Sequence, residues 1–461
     1  SLFKKRKTCL IIFFMKVKTT FLLAICLLFL SGCKNNTDPT KPENPIMNSD
    51  EKIYNDSEVL KYAKYFNTKT AENHFVSIWW DVHNSEGKCY IDRTNLCQQV
   101  PGWAETIMSC YTNSEYNSAT TSDSVFNEED AWTAAQRMKT GWNLGNSLDS
   151  HSMNYVNKNY YDGDTFVSEP GEWVNVYSDD QGHLVKGDGW IKRFTKGTPS
   201  DFEKGWKEIV TTKKLISFVK SLGFNVIRVP VSWGEHLNDK NEIDPVWMKR
   251  VKEVVDYVID SGMYCIINVH HDGGVDGWIK AGESSYNQFN GRFSSIWKQI
   301  ADTFNNYDEH LLFESMNEVI NESREWDNIT EDGCNWINKW NQLFVDTVRE
   351  TGGNNTKRNL IVMNYGAKSN DNGLKYFVLP TDSVESHLLL EIHNYNPSFF
   401  CSTNATWTTM SAKYSKAVED SIDNDFAILK KYSDKLKVPI VIGEYAAFRK
   451  KYEDFGESYS E

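Results

Sequence analysis

The chain has 461 residues, enough for one large domain of about 250 to 350 residues with appendages, or for two smaller domains. Hydrophobic residues make up 40% and aromatic residues 13%, which is globular material with many rings available for a core or a sugar-binding cleft. The formal net charge of -13 argues against a nucleic-acid groove, which needs clustered lysines and arginines, and favours a neutral substrate.

The N-terminal residues predict an export signal. After Met15, two lysines precede an apolar stretch from Thr20 to Leu30, which is too short to cross a bilayer. This stretch and the Leu-Ser-Gly-Cys that ends at Cys33 resemble a bacterial lipoprotein signal. We therefore expect residues 1–33 to be a signal peptide with a lipobox, residues 1–14 lying upstream of the true start. The mature protein would be exported and anchored through a lipid on Cys33, at the outer membrane, the cell surface or in the periplasm.

Three segments of different character follow the signal. Residues 34–56 are rich in Asn, Asp, Pro and Lys, which predicts a flexible tether. Residues 57–111 predict a unit of helix, strand and helix, with its strand-like run at residues 75–80. Residues 112–128 are polar and predict a connector to the body of the chain, residues 129–461.

In the body, short apolar runs alternate with amphipathic helical patterns. Such alternation indicates a parallel sheet whose strands are joined by helices. The seven runs that we expect to be strands are residues 141–144, 226–231, 265–269, 311–313, 360–363, 388–392 and 439–442. Seven strands alone would leave two unpaired edges, because a (β/α)8 barrel closes only with an eighth strand.

The eighth strand is predicted at residues 75–80, ahead of the first strand in the chain. The predicted fold is therefore an α/β TIM barrel, circularly permuted so that the eighth strand precedes the first. A closed barrel tolerates such a cut because its first and eighth strands are neighbours. The alternative is that residues 50–111 are the stump of a duplicated domain and that the chain has lost its own eighth strand.

Two glutamates are distinguished by their place at predicted strand ends. Asn-Glu and Gly-Glu dipeptides recur along the chain, but of their glutamates only Glu318 closely follows the run at 311–313, and only Glu444 closes the run at 439–442. Active sites of barrel enzymes are built at the carboxyl ends of the strands. Two carboxylates about 5 to 5.5 Å apart suit a double displacement at a sugar carbon. The pair therefore indicates a retaining glycoside hydrolase.

Other polar residues fall at the ends of other predicted strands. Arg228 would point a permanent cation into the barrel, either to hold a catalytic carboxylate ionised or to form a buried salt bridge. His270 and His271 end one strand, and His393 and Tyr395 end another. The first pair, followed by an aspartate, suggests a metal site. Adjacent residues of a strand point to opposite faces and no helical His-x-x-x-His supports them, so no metal is expected.

Six motifs lie at the strand ends, in this order: Gly141-Trp-Asn-Leu-Gly-Asn-Ser-Leu-Asp149, Ile227-Arg-Val-Pro-Val-Ser-Trp233, Asn268-Val-His-His-Asp272, Phe313-Glu-Ser-Met-Asn-Glu318, His393-Asn-Tyr395 and Val441-Ile-Gly-Glu-Tyr445. Together they span residues 129–447. Their content and order resemble glycoside hydrolase family 5, the cellulase-rich family, and most closely its subfamily 4 of endo-β-1,4-glucanases and xyloglucanases.

The resemblance implies roles for individual residues. Glu318 is expected to be the acid/base and Glu444 the nucleophile, with no metal and no cofactor. Asn317 would bind the 2-hydroxyl of the sugar, and Trp80 would be the family's sugar-stacking tryptophan. The expected substrate-binding residues are Arg228, His270, His271, Asn317, His393, Tyr395, Trp80 and Asn143.

The order of the elements departs from the family pattern in one respect. Members of the family carry, after the nucleophile, a helix and then a strand that ends in Trp-Asp, followed by an Asp-Arg loop. Here Ile78-Trp-Trp-Asp81 and Tyr90-Ile-Asp-Arg93 match these elements but precede the first strand. This is the arrangement that the circular permutation predicts.

The predicted function is that of an endo-acting β-1,4-glucanase (cellulase) that hydrolyses β-glucan with retention, as a lipid-anchored monomer. Xyloglucanase, lichenase, xylanase and mannanase activities are the alternatives within the family. A catalytically dead surface glycan-binding protein is the alternative of another class, but such a protein typically loses a carboxylate, and both are present here. The insertion at residues 151–206 is expected to lie over the cleft.

Overall fold

The computed structural model describes residues 54–83, 87–112, 126–151, 198–204, 209–275, 277–402 and 410–452, and the backbone of five short strands between residues 153 and 186. The predicted signal peptide with Cys33, nearly all of the tether and most of the connector lie outside these residues. So do the side chains of most of the insertion predicted over the cleft. No helix in the described ranges is long and apolar enough to cross a membrane.

The centre of the fold is a closed barrel of eight parallel strands, so the predicted (β/α)8 class is confirmed. In chain order the strands are β1 (Val76–Trp79), β2 (Thr140–Asn143), β3 (Val226–Val229), β4 (Tyr264–Asn268), β5 (Leu311–Glu314), β6 (Leu360–Lys368), β7 (Leu388–Asn394) and β8 (Ile440–Tyr445). Around the barrel they follow the order β1, β8, β7, β6, β5, β4, β3, β2.

Strand β1 closes the barrel between its last and its second strand. Ser77 pairs in parallel with Ile442 of β8 on one side and with Thr140 of β2 on the other. The strand in the position of an eighth strand therefore comes first in the chain. The closed barrel thus includes the strand predicted at residues 75–80.

Eleven helices are described around and between the strands: α1 Asp56–Glu72, α2 Trp103–Met108, α3 Ala131–Met138, α4 Pro199–Glu203, α5 Lys213–Ser221, α6 Pro245–Ile259, α7 Glu283–Thr303, α8 Glu331–Glu350, α9 Asp371–Leu374, α10 Ser398–Cys401 and α11 Lys416–Leu436. Several starts follow from side-chain caps that accept a backbone N–H of the first turn, at Asp130, Thr212, Asp244 and Thr330.

Several short elements lie outside the barrel strands and the helices. Three 3-10 turns span Ser109–Tyr111, Gly234–His236 and Gly353–Thr356. Antiparallel strands outside the barrel are Ile91–Asp92 with Cys97–Gln98, Glu172–Ser178 with both Met153–Val156 and Leu184–Lys186, and Tyr160–Asp162 with Thr165–Val167.

Helix α1 joins the N-terminal unit to the end of the chain. The ring of Phe66 stacks on Tyr445 of β8 at 4.4 Å between centroids and 8° between planes. Asn67 donates from Nδ2 to the Tyr445 hydroxyl at 2.8 Å. Just before α1, Tyr54 forms an antiparallel bridge with Lys451. Since Lys451 follows the carboxyl end of β8, the described chain enters at the end of the barrel where the site is predicted.

Two layers of side chains fill the barrel, because residues two apart on a strand point to the same side. The layer nearer the amino ends, here called the apolar layer, is capped by α3 and consists of Val76, Ile78, Val226, Tyr264, Ile266, Leu312, Ile361, Leu389 and Val441. The next layer towards the carboxyl ends, the polar layer, is fully buried and consists of Asn143, Arg228, Asn268, Glu314 and Glu391.

Candidate active site

The polar layer is organised around the buried guanidinium of Arg228. Its Nε and Nη2 donate to the two carboxylate oxygens of Glu314 at 2.7 and 2.8 Å. Its Nη1 donates to Asn143 Oδ1 at 3.1 Å and to Glu444 Oε1 at 2.9 Å, and Nη2 also donates to Asn317 Oδ1 at 2.8 Å. A planar guanidinium holds several acceptors at fixed angles. Arg228 therefore sets the relative positions of groups from four different parts of the barrel.

Glu444 lies on β8 and is held at both carboxylate oxygens. Oε1 accepts from Arg228, and Oε2 accepts from the Tyr395 hydroxyl at 2.8 Å. Only 7% of the Glu444 side chain is exposed. A permanent positive charge on one side and a hydroxyl donor on the other therefore fix both the orientation and the electrostatic surroundings of this carboxylate.

Glu318 follows β5 and lies at the mouth of the barrel. Its backbone φ is +43°, in the left-handed region that residues other than glycine rarely adopt. The side chain is 27% exposed, and its Oε1 is 2.7 Å from Nδ1 of His393. An oxygen of Glu318, an oxygen of Glu444 and a nitrogen of His393 all lie within 4.8 Å of one another. The two carboxylates therefore face each other across the mouth.

Asn268 fixes the proton of a neighbouring histidine. Its Oδ1 accepts from the backbone N–H of Val231 at 3.1 Å, and its Nδ2 donates to Glu314 at 2.7 Å, so the orientation of the amide is set by its partners. The same Nδ2 lies 2.9 Å from Nδ1 of His270. Because Nδ1 faces a donor, the neutral ring carries its proton on Nε2, which makes His270 a donor at that position.

His270, His271 and Asp149 converge beside the carboxylate pair. The Nε2 atoms of the two histidines lie 3.9 and 3.7 Å from Asp149 Oδ2. The expectation that the histidines point to opposite faces is wrong, because β4 ends at Asn268 and both belong to the loop after it. Burial, with neighbouring cationic groups, lowers the pKa of each histidine well below its ordinary value, and burial raises the pKa of Asp149 to about 7.

These three side chains are close enough for their ligand atoms to share a metal ion. A metal at Nε2 of His270 requires that nitrogen to be unprotonated and Nδ1 to donate to an acceptor. Nδ1 instead faces the donor amide of Asn268. The hydrogen-bonding pattern therefore disfavours a metal here and favours neutral histidines that bond to hydroxyl groups.

Trp80 reaches the same mouth from the N-terminal unit. Its ring is parallel to that of His270, with 4° between the planes and 5.9 Å between centroids, and its backbone N–H donates to Tyr445 O at 3.0 Å. Gly145 makes room for it, since a Cβ there would stand 2.9 Å from Cζ2 of the indole. The N-terminal unit thus contributes an aromatic ring to the site.

The predicted catalytic and substrate-binding residues lie at this end of the barrel, whereas Cys33 lies outside the described residues, and the depth of the side chains differs. Arg228 and Asn143 are fully buried, and Asn143 donates from Nδ2 to Gly443 O at 2.8 Å. The hydrogen bonds of these two side chains hold other groups of the site, and their role in binding substrate stays a prediction. Asn317 differs: its Oδ1 is bonded to Arg228, and its Nδ2 is left as a donor for a sugar hydroxyl.

A cavity of about 670 Å³ continues the site beyond His271. Its lining includes the rings of Trp278 and Phe289, and the guanidinium of Arg292 lies 5.3 Å from the centroid of Trp278. This volume is within the range of pockets that bind small ligands. A binding surface with aromatic walls therefore extends past the carboxylate pair.

Glu314 and Glu391 received no role from the sequence, although Glu391 lies inside the predicted strand 388–392 and Glu314 directly follows the predicted strand 311–313. Each is a carboxylate two residues beyond a residue of the apolar layer. A buried carboxylate needs a cation or donors nearby. The sequence signal that could have identified them is their even spacing from residues already assigned to the site. Glu391 is two residues before His393, and Glu314 is four residues before Glu318.

The fold and the carboxylate pair define a class of enzyme. In retaining glycoside hydrolases the two carboxyl groups stand about 5 to 5.5 Å apart, and in inverting ones about 6.5 to 9.5 Å apart. One carboxylate oxygen of Glu318 lies within 4.8 Å of one of Glu444, a closest approach that is compatible with the first spacing. A glycoside hydrolase is therefore the class to which this barrel and this site correspond.

The particular family follows from comparison with known proteins. The model of the cellulase family, glycosyl hydrolase family 5, matches residues 191–457, and the chain belongs to this family. It is 34% identical over 327 residues to endoglucanase A of Ruminococcus albus, which covers 69% of this chain and 74% of that protein. It is 34% identical over 324 residues to endoglucanase A of Clostridium longisporum, covering 68% of this chain but only 53%, about half, of that protein.

Solved structures agree with this assignment. A glycoside hydrolase family 5 enzyme from Prevotella bryantii superposes with a TM-score of 0.56 at 34% identity, covering 70% of this chain and 79% of that one. A broad-specificity endoglucanase of subfamily 4 from Ruminococcus champanellensis, with bound cellotriose, superposes with a TM-score of 0.58 at 32% identity, covering 70% and 81%. These similarities support membership of subfamily 4.

Proposed function

We propose that the protein is an endo-β-1,4-glucanase that hydrolyses β-glucan with retention of configuration. The observation that carries this proposal is the approach of Glu318 and Glu444 to within 4.8 Å at the carboxyl mouth of the barrel. At that separation one carboxylate reaches the anomeric carbon while the other reaches the leaving oxygen. Membership of a family that contains named endoglucanases supports the choice of substrate.

Glu444 would be the nucleophile. Its carboxylate is held at one oxygen by Arg228 and at the other by Tyr395, so little reorganisation is needed for attack. In the first step it forms a bond to the anomeric carbon as the bond to the leaving oxygen breaks. The covalent glycosyl-enzyme then awaits water.

Glu318 would be the acid and then the base. It gives its proton to the leaving oxygen in the first step and takes one from the attacking water in the second, which restores the starting state. The leaving oxygen and the attacking water both contact Glu318 from the cleft. The greater exposure of its side chain, 27% against 7% for Glu444, suits a group that must meet a departing chain and an incoming water.

The remaining polar groups suit recognition of a sugar at the point of cleavage. Nδ2 of Asn317 would donate to the 2-hydroxyl, and the indole of Trp80 would stack on the ring. Nε2 of His270 would donate to a hydroxyl, given the tautomer that Asn268 imposes. Cellulose and mixed-linkage glucan are the first substrates to assay, with xyloglucan, xylan and mannan as the competing outcomes on a panel of defined polysaccharides.

The test replaces each glutamate and measures turnover. Glu318→Ala and Glu444→Ala should each lower kcat on a β-glucan by orders of magnitude with an unchanged circular dichroism spectrum, since each removes half of the double displacement. Glu242→Ala and Glu283→Ala are matched controls. They alter exposed glutamates of another Asn-Glu and another Gly-Glu dipeptide and should retain wild-type kcat. Wild-type activity in either active-site variant would exclude the assignment.

We further propose that the protein is an exported lipoprotein and a circular permutant of its family. The apolar stretch before Cys33 and the lipobox support the first part, and the position of β1 between β8 and β2 supports the second. The bridge from Tyr54 to Lys451 would bring the tether out beside the mouth of the barrel. Replacing Cys33 by alanine should move the protein from the membrane fraction to the soluble fraction.

A further inference from the structure

Glu391 is a carboxylate that the proposed chemistry does not use. It lies in the middle of β7, two residues before His393, so both side chains point into the barrel. None of Glu391 is exposed. The neighbouring strand is shaped around it, because a Cβ on Gly443 would stand 1.8 Å from Glu391 Oε1. The absence of a side chain at Gly443 therefore provides the space that the Glu391 carboxylate occupies.

The contacts of Glu391 connect it to the centre of the site. Its Oε1 is 3.1 Å from Nε2 of His393 and 3.2 Å from Nη2 of Arg228. Its Oε2 is buried without a hydrogen-bond partner among the residues that the structure describes. A buried carboxylate with one oxygen unbonded is costly unless its charge serves a neighbour. The titratable neighbours in hydrogen-bonding reach are Glu314 and His393, and of these two His393 is the one that can become a cation.

His393 is placed between two carboxylates. Its Nδ1 lies 2.7 Å from Glu318 Oε1, and its Nε2 lies 3.1 Å from Glu391 Oε1. A neutral imidazole has one N–H and would turn a lone pair towards one of these acceptors, whereas an imidazolium donates to both. Burial disfavours the charged ring, but the charge of Glu444 and the bonds to Glu318 and Glu391 outweigh it and raise the pKa of His393 to about 10.

The charges around His393 favour a second cation. Arg228 forms ion pairs with the buried carboxyl groups of Glu314, Glu391 and Glu444, and Lys88 interacts electrostatically with Glu444 as well. Burial raises the pKa of Glu314 to about 8 against the opposing charge of Arg228. Even with Glu314 protonated, Glu391 and Glu444 share the Arg228 guanidinium, and Lys88 acts on Glu444. Among the described residues, the neighbours that can neutralise Glu391 are therefore Arg228 and a charged His393. The described titratable and charged groups that face its ring or its carboxylate partners come from the segment after β1, from β3, β4, β5, β7 and β8, and from the loops after them: Lys88, Arg228, His270, Glu314, Glu318, Glu391, Tyr395 and Glu444.

We propose that Glu391 is a positioning residue of the active site, which keeps His393 as an imidazolium that donates from Nδ1 to Glu318. The proposal rests on the assignment of Glu318 as the acid/base. When Glu318 gives its proton to the leaving oxygen, it becomes a carboxylate beside a cationic donor, which stabilises the charge that develops there. When it later takes a proton from water, the same contact holds its oxygen in place. Glu391 itself touches neither substrate nor reacting atom.

The first test uses the wild-type protein. In 15N NMR of histidine-labelled enzyme, the resonances of His393, assigned by their loss in His393→Asn, should show both ring nitrogens protonated at neutral pH. A neutral ring at neutral pH would overturn the proposal. This readout needs no activity, so it separates failure of the proposal from failure of the proposed function, which Glu318→Ala and Glu444→Ala address.

The second test removes the charge of Glu391 and keeps its shape. In Glu391→Gln the pKa of His393 should fall by about one to three units, the usual effect of one close opposite charge. The pH profile of kcat/KM should then gain an ionisation between about 7 and 9 that the wild type lacks. Glu391→Asp, which keeps the charge one methylene further away, should give an intermediate value, and it replaces the first variant if that one does not fold.

A matched control removes a different buried carboxylate. Glu129 lies at the opposite end of the barrel, where it accepts from Tyr264 and Arg137. Glu129→Gln should lower stability but leave the titration of His393 and the shape of the pH profile as in the wild type. An unchanged His393 titration in Glu391→Gln, or an equal shift in Glu129→Gln, would show that Glu391 is merely structural and contradict the proposal.

Discussion

The apolar and polar layers of the barrel stand on the same strands, two residues apart, yet they impose different demands on the sequence. In the apolar layer, Leu312 and Ile266 gain free energy by leaving water, and any side chain of similar volume does the same. In the polar layer, Glu314 and Asn268 are equally buried, but each depends on particular partners. The earlier residues of a strand therefore contribute mainly to stability, and the later residues contribute to the active site.

The largest change breaks both layers at once. Strand β1 supplies Ile78 to the apolar layer and closes the sheet between β8 and β2, and Trp80, directly after it, stands at the rim of the site. Deleting residues 34–111 should give an insoluble or inactive protein, because it opens two strand edges. Soluble yield, circular dichroism and β-glucanase activity are the measurements.

A shorter deletion is the control for that experiment. Removing residues 34–53 takes away only the predicted tether and should leave fold and kcat unchanged. Full activity after removal of residues 34–111 would mean that the barrel closes without β1, against the strand order described here.

A smaller change breaks the polar layer alone. In Arg228→Lys the charge remains, but a single ammonium cannot reach Glu314, Asn317 and Glu444 together. Misplacement of a catalytic group by about 1 Å can cost about a hundredfold in rate. We therefore expect kcat to fall by about a hundredfold or more, measured on a soluble β-glucan.

Arg358 provides the matched control at the other end of the barrel. It is also fully buried, and its guanidinium donates to the carbonyl oxygens of Phe304, Tyr307, Asp308 and Leu311. Arg358→Lys should lower the melting temperature while kcat of the folded protein stays at the wild-type value. An equal loss of kcat in both arginine variants would show that any buried arginine matters in the same way.

The substitution with the smallest expected effect on activity lies in the apolar layer. Leu312→Ala should lower the free energy of unfolding by about 2 to 5 kcal/mol, through lost burial and a cavity. Turnover per folded molecule should be unaffected, because Glu314 and Glu318 further along the chain keep their partners. Urea denaturation and kcat at low temperature measure the two effects separately. A fall in kcat without a fall in stability would remove the distinction between the layers.

Much of this organisation was predictable from the sequence. Runs such as Leu311 to Phe313, which is apolar throughout, and Val226 to Val231, which is apolar except for Arg228, predicted strands because buried parallel strands are nearly continuous apolar runs. The carboxylates that follow them were predicted to share the mouth because parallel strands end together. The missing eighth strand was predicted at residues 75–80 by the same logic of closure, and β1 lies there.

Other features depended on geometry that a sequence does not contain. The strand that precedes His270 and His271 ends two residues earlier than an alternating pattern assumes, so the two rings converge on Asp149. Asn143 and Arg228 were expected to bind substrate, but side chains of the polar layer lie beneath the rim. Their depth follows from the tilt and stagger of the strands, which only the closed barrel defines.

Chemical rescue tests the central claim, double displacement by Glu318 and Glu444, most directly. On a β-cellobioside with an activated leaving group, Glu318→Ala should still form the glycosyl-enzyme, because that leaving group needs no acid, and should then stall for want of a base. Azide needs no base and should restore turnover. Retention predicts a β-glycosyl azide by NMR, formed by two inversions at the anomeric carbon. An α-glycosyl azide, or no rescue together with wild-type turnover, would contradict the assignment of both glutamates.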